Sequence, residues 1–163
     1  MKAWLLAFRV KTLTAAVVPV FVGTALILLS PTATIKWWVT FCALTGALFI
    51  QIGTNLVNDA IDFKKGADTK NRLGPVRVTQ SGLLSSTQVM VMAFISFALA
   101  VLCGLPLVLE GGWVILLIGL ISIFCGYAYT GGPYPLAYKG LGDLFVVIFF
   151  GLVAVGGVYF LHS

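Results

Sequence analysis

From Gln51 the chain reads Gln-Ile-Gly-Thr-Asn55-Leu-Val-Asn58-Asp59-Ala-Ile-Asp62-Phe-Lys-Lys-Gly66-Ala-Asp68, which places three of its five acidic residues within ten positions. If this stretch is helical, Asn55, Asp59 and Asp62 step by four and then three residues and line one face, with Gln51 and Asn58 flanking it. Stacked carboxylate and amide oxygens suit Mg²⁺, a hard cation that takes oxygen ligands and often shares them with substrate phosphates. The same residues would also serve as a solvated helix end, where polar groups answer to topology alone.

Two further groups could do chemistry nearby. The loop from Phe63 to about Ser85 carries Lys64, Lys65, Lys70, Arg72 and Arg77 among Gly66, Gly74, Pro75 and Gly82. Arginine as a planar fork and lysine as a point charge could clamp a diphosphate, or could simply set orientation. Asp68 beside Lys70 and Arg72 favours a site, because orientation needs no acids. Downstream, Tyr127, Tyr129, Tyr134 and Tyr138 crowd a segment broken by Gly131, Gly132, Pro133 and Pro135, with Lys139 and Asp143 following. Tyrosines at such a place form an interfacial belt, or line a cavity where their ring faces stabilise a cation.

The elements that must position these groups are apolar helices. Mean hydropathy is +1.08 and only 9% of residues are charged, which excludes an ordinary soluble domain. Runs of spanning length occur at about 13–30, 37–57, 86–108, 113–130 and 141–161. The expected fold is therefore all-α, a polytopic transmembrane helical bundle with about five spans. The first run is not a cleaved signal peptide: Pro19 interrupts it, no small-residue cleavage site follows, and further spans come after. Pro19 is a candidate kink. Ahead of that run, Trp4, Leu5 and Phe8 share a face of a predicted interfacial helix, and Arg9 reads as its basic flank. Ser85-Ser86-Thr87 offers an N-cap to the third run.

Charge fixes the expected orientation. With five alternating spans, nine of the ten Lys and Arg residues fall on one side and Lys36 alone on the other. The positive-inside rule then puts the N-terminus and the acidic cluster in the cytoplasm. The net charge of +5 reflects this topology and the lipid bilayer's anionic headgroups, not nucleic acid. Trp37 to Asn55 is about 27 Å of helix, nearly the roughly 30 Å hydrocarbon layer, so Asn55 should lie just inside the cytoplasmic boundary. Asp59 and Asp62 lie beyond it, sparing the roughly 2.5–3.5 kcal/mol cost of an aspartate at the bilayer centre. Cys42, Cys103 and Cys125 sit inside apolar runs as packing residues, and the single His162 reads as incidental.

The pattern Asn55-x-x-Asn58-Asp59-x-x-Asp62-x-x-x-Gly66-x-Asp68 resembles the first aspartate-rich motif of the UbiA superfamily of membrane prenyltransferases. Three other segments are similar to its 1,4-dihydroxy-2-naphthoate polyprenyltransferase branch: Phe8-Arg9-x-x-Thr12-Leu with Pro19-Val and Gly23, Arg72-x-Gly74-Pro75-x-Arg77-x-x-Gln80-Ser81-Gly82, and Tyr129-Thr-Gly-Gly-Pro133-x-Pro135-Leu-x-Tyr138-Lys139-Gly140-Leu-Gly142-Asp143. The resemblance implies about nine spans around a cytoplasm-facing cavity. It implies transfer of a polyprenyl chain from a polyprenyl diphosphate to 1,4-dihydroxy-2-naphthoate with decarboxylation, giving demethylmenaquinone. On that reading Asn55, Asp59 and Asp62 hold Mg²⁺, and Arg9, Asn58, Asp68, Lys70, Arg72 and Arg77 bind the diphosphate. Arg72, Arg77 and Lys139 would offset charge as the diphosphate leaves, and Tyr129 and Tyr138 would shield the allylic cation.

The family's second aspartate-rich motif has no counterpart before Ser163, since Asp143 alone is a poor substitute. The chain is therefore expected to be the N-terminal part of one prenyltransferase domain, residues 1–163. Other acceptors, such as 4-hydroxybenzoate, stay open within the superfamily. A CDP-alcohol phosphotransferase would show an Asp-Gly and Ala-Arg pattern that this chain lacks. A transporter keeps ionisable groups near the midplane and often shows paired repeats, whereas here the cluster lies at an edge and no repeat is visible.

Overall fold

The computed structural model describes residues 2–31, 33–66 and 77–163. α1 (Lys2–Phe8) leads through a turn at Arg9 into α2 (Thr14–Ala25), which tightens to a 3₁₀ turn at Leu26–Leu29. α3 (Trp37–Lys64), α4 (Ser86–Ala128) and α5 (Gly142–His162) follow, the last with a π-helical stretch at Val147–Val153. No strand occurs among the described residues.

The 43 residues of α4 would reach about 64 Å as a straight rod, twice the hydrocarbon layer. The helix instead breaks at Gly112, whose φ of 65° and ψ of −153° only glycine adopts readily. A Cβ at Gly126 would sit 3.7 Å from the Phe97 ring and 2.5 Å from the Thr54 hydroxyl. Residues 97 and 126 lie at similar distances on either side of the break, so their proximity means that the two arms double back on each other. Among the described residues three helices are long and apolar enough to cross a membrane, and the α1–α2 pair, bent by 47°, makes a fourth when taken as one span. Counting the arms of α4 separately gives one crossing for each apolar run in the sequence. The bend in the first crossing lies at the α1–α2 junction, upstream of Pro19, which stays buried inside α2.

Lipid-facing surfaces are apolar: Leu109 is 89% exposed, and Leu28, Trp113, Phe124 and Leu152 are also largely uncovered. In water such a surface would be unsustainable; in a bilayer it is the solvated face. The chain is an integral membrane protein. Its packed interior falls into two parts. One, around Ala7, Leu56, Val57, Ala60, Val78, Val89, Ala93 and Phe97, gathers α1, α3 and the start of α4. The other, around Val39, Leu107, Ile115 and Leu161, closes the opposite end. Gly53 permits close α3–α4 packing at the first, since a Cβ there would lie 2.5 Å from the Phe97 ring.

The caps and anchors explain where the helices start. Ser85 closes a capping box with Gln88, satisfying the first amides of α4 as its sequence suggests. The Ser86 hydroxyl then donates to the Ala60 carbonyl at 3.2 Å and pins α4 to α3. Trp4 and Phe8 pack inward on the first core, but Leu5 is exposed and does not share their face. His162 is not incidental. It is buried, accepts the Lys36 N–H at Nδ1 (3.1 Å) and meets the Thr40 hydroxyl at Nε2 (3.2 Å), while Lys36 pairs with Glu110 at 2.6 Å. These polar ties fasten the end of the bundle remote from the acidic cluster.

Candidate active site

At the other end α3 presents the Asn/Asp cluster to a cavity of about 540 Å³. Arg9, Gln51, Asn55, Asn58, Asp62 and Arg77 supply much of its polar wall, and Tyr129 and Tyr138 close one side. Four segments far apart in sequence therefore converge here, from the Arg9 turn, α3, the turn at residue 77 and the loop after α4. Asp68, Lys70 and Arg72 lie outside the described residues. Lys139 is exposed nearby and does not line the cavity.

The local bonds show how each side chain is held. Asp62 is buried and accepts from Arg77 Nη2 at 2.9 Å through Oδ2 and from the Tyr138 hydroxyl through Oδ1. Arginine's fork makes such a buried pair sustainable where a lone carboxylate would not be. Asn58, one turn earlier, accepts the Thr130 hydroxyl at Oδ1. Lys65 Nζ donates to the Thr130 carbonyl at 2.9 Å and sits 5.0 Å from the centroid of the Tyr138 ring. The 130–138 loop is thus strapped across the end of α3 by groups on both sides of the polar wall.

Asn55 and Asp59 have different partners. Asn55 Nδ2 donates to the Phe8 carbonyl (3.0 Å) and the Thr12 hydroxyl (2.9 Å), holding the α1–α2 elbow at which Arg9 stands. Arg9 itself has φ of 51°, a left-handed conformation rare for a side chain of this size. Asp59 is 1% exposed and does not line the cavity. Its carboxylate accepts the Val78 N–H (3.1 Å), the Thr79 N–H (3.2 Å) and the Thr79 hydroxyl. The shared face expected for Asn55, Asp59 and Asp62 is therefore split. Asn58 and Asp62 face the cavity together, Asn55 stands at its edge, and Asp59 turns toward the loop.

The sequence reading passed over Thr130 and Thr79, and read Lys65 only among the basic residues of the following loop. Threonine at 130 had one signal, its place inside the Tyr-Thr-Gly-Gly-Pro break, where a hydroxyl would be wasted without a partner. Cys125, read as packing, also lines the cavity wall.

Oxygen donors dominate: Asn58 Oδ1, the Asp62 carboxylate and the neighbouring hydroxyls are hard ligands, and no group of three His, Cys, Asp or Glu occurs among the described residues. That set fits Mg²⁺ completing its shell with water or phosphate oxygens better than a protein-enclosed Zn²⁺. Below the polar cavity lies a second, apolar one of about 210 Å³, lined by residues such as Ala43, Gly46, Val108 and Leu161. The two share Ala47, Ile50, Ser122, Phe149 and Ala154 in their walls and so lie side by side.

A membrane-embedded helical bundle with a cationic, oxygen-rich chamber at one edge and an apolar cavity beside it is the class these features define. The chain belongs to the UbiA prenyltransferase family, whose pattern matches residues 16–163. Among curated proteins it is 38% identical over 160 residues to a 1,4-dihydroxy-2-naphthoate octaprenyltransferase of Mycobacterium tuberculosis, covering 98% of this chain and 54% of that protein. It is 37% identical over 156 residues to the enzyme of the same description from Bacillus subtilis, covering 95% and 49%. A 2-carboxy-1,4-naphthoquinone phytyltransferase of Synechocystis is 32% identical over 170 residues, covering 99% and 52%. The chain spans about half the length of the curated relatives it matches.

Proposed function

We propose that the protein takes part in transferring a polyprenyl chain from an allylic diphosphate to 1,4-dihydroxy-2-naphthoate, with loss of the carboxyl group as CO₂. Oxidation of the prenylated diol gives demethylmenaquinone. The observation that carries this reading is the adjacency of the two cavities, a charged head chamber sharing a wall with an apolar one. A polyprenyl diphosphate has the same division. The relatives share a carboxylated naphthalene acceptor in their descriptions while differing in the prenyl group, which supports the acceptor more than the chain length.

Arg77 and Arg9 would bind the diphosphate from two sides, Arg77 already charged and oriented by Asp62. Asn58 and Asp62, with Asn55 at the edge, would hold Mg²⁺, which when bound lowers the charge on the diphosphate and improves it as a leaving group. Asp68, Lys70, Arg72 and Lys139 are proposed to add to this grip from the adjoining loops. As the carbon–oxygen bond breaks, the electron pair leaves with the diphosphate. The arginines stabilise that developing charge because they are fixed beforehand in a low-dielectric setting. Tyr129 and Tyr138 wall the allylic carbon from water and offer ring faces to its positive charge. The cavity mouth and N-terminus would face the cytoplasm of a bacterial inner membrane, following the nine-to-one division of basic residues.

Membranes carrying the enzyme, supplied with polyprenyl diphosphate and dihydroxynaphthoate labelled in ring and carboxyl, test this directly. Ring label should enter the lipid phase in a Mg²⁺-dependent manner while carboxyl label appears as CO₂. Preferential labelling of 4-hydroxybenzoate in competition would overturn the acceptor, and no transfer to either would overturn the reaction.

A further inference from the structure

Asp59 is the one acidic group of the described cluster that is sealed off from the chamber. Its two oxygens are engaged by two consecutive backbone amides and a hydroxyl, and the Thr79 hydroxyl also lies 3.1 Å from the Asp59 carbonyl oxygen. Charge-assisted bonds to backbone N–H groups are what a buried carboxylate uses when its task is to fix a chain segment. The segment it fixes begins with Arg77. From there the turn closes on itself: Ser81 N–H donates to the Arg77 carbonyl (3.0 Å), and Leu83 and Leu84 N–H both donate to the Val78 carbonyl (3.0 and 3.3 Å). Val78 is fully buried in the core beside Ala60 and Val89, so the turn is clamped by Asp59 above and by apolar packing below. One residue upstream, Arg77 reaches the chamber and meets Asp62.

We propose that Asp59 is a positioning residue which sets Arg77 in the diphosphate chamber by capping the Val78 and Thr79 amides, and that it ligates no metal. This rests on the diphosphate role given to the chamber above. Asp59 is sealed from the chamber with three donors on its carboxylate, so neither oxygen is presented to a cation there. Asp59→Asn keeps the shape but replaces one acceptor oxygen by an NH₂ that confronts a backbone N–H.

The test is a double-mutant cycle between Asp59→Asn and Arg77→Gln in the whole enzyme. It is read by kcat/KM for polyprenyl diphosphate, by half-saturating Mg²⁺ and, without turnover, by calorimetric binding of inorganic pyrophosphate with Mg²⁺. Alone, Asp59→Asn should lower kcat/KM and pyrophosphate affinity about tenfold or more, with half-saturating Mg²⁺ changed less than twofold. In the Arg77→Gln background it should cost less than about twofold more. Losses that multiply, or a Mg²⁺ requirement that rises, would overturn the inference: the first would mean a merely structural role, the second a ligand. Should Asp59→Asn fail to insert, Thr79→Val removes one donor to the same carboxylate and should lower kcat/KM in the same Arg77-dependent way; an additive effect would again overturn it. A wild-type enzyme that binds pyrophosphate and shows the coupled cycle, yet makes no prenylated naphthalenediol, would sink the proposed reaction and leave this inference standing. No pyrophosphate binding by the wild type would overturn both.

Discussion

Asp62 carries the heaviest demand of any single side chain, because it serves a guanidinium, a phenol hydroxyl and the proposed cation at once. Asp62→Asn removes the charge that balances buried Arg77, and breaking one side of a buried pair costs about 3–5 kcal/mol. The expected result is a fall in activity of at least about a hundredfold together with lower thermal stability in detergent. With the Asp62 charge gone from beside Arg77, pyrophosphate binding should also become less dependent on Mg²⁺, which calorimetry at varied Mg²⁺ would check. Why Asp62 and not Asp59 was only partly legible in sequence has a geometric cause. Consecutive helical residues project about 100° apart, so no single chamber faces both Asn58 and Asp59 squarely. Periodicity locates the arc of polar residues but not the direction in which the helix is turned. What settles the rotation is the pair of backbone amides at Val78 and Thr79 that claim Asp59. Backbone donors carry no side-chain signature, and these stand about twenty residues downstream.

At the scale of elements, the hydrophobic runs gave the crossings well, because length and apolarity are what a bilayer selects. The chain also disclosed the α4 cap at Ser85, a local signal complete within four residues. It did not disclose that the Ser86–Ala128 helix turns on a single residue in place of a loop. Gly112 makes that hairpin with φ of 65° and ψ of −153°. An alanine there meets no neighbour, so its effect is purely conformational, about 1–3 kcal/mol of strain. Gly112→Ala should therefore lower the melting temperature of the purified protein while leaving KM for the diphosphate near its original value, since the hairpin lies at the end opposite the chamber. A selective rise in KM without loss of stability would mean that the break communicates with the site.

For the whole molecule the decisive expectation is sidedness. Lys36, Glu110 and His162 meet at one end, while Arg9, Lys65, Arg77 and Lys139 gather at the other. In a background lacking Cys42, Cys103 and Cys125, cysteines at Ser81 and Lys139 should react with a membrane-impermeant maleimide only after the cytoplasmic face is opened, and one at Thr34 should react in intact cells. The reverse pattern would refute the orientation drawn from the basic residues. That orientation, combined with a polar chamber that shares a wall with an apolar cavity, has a kinetic consequence. The prenyl donor and the quinol product would never leave the bilayer, while diphosphate would depart into water, so the catalyst would work on a two-dimensional solution. Its velocity should then follow the mole fraction of donor among the lipids, falling as inert phospholipid is added even when the amount of donor per millilitre is held constant.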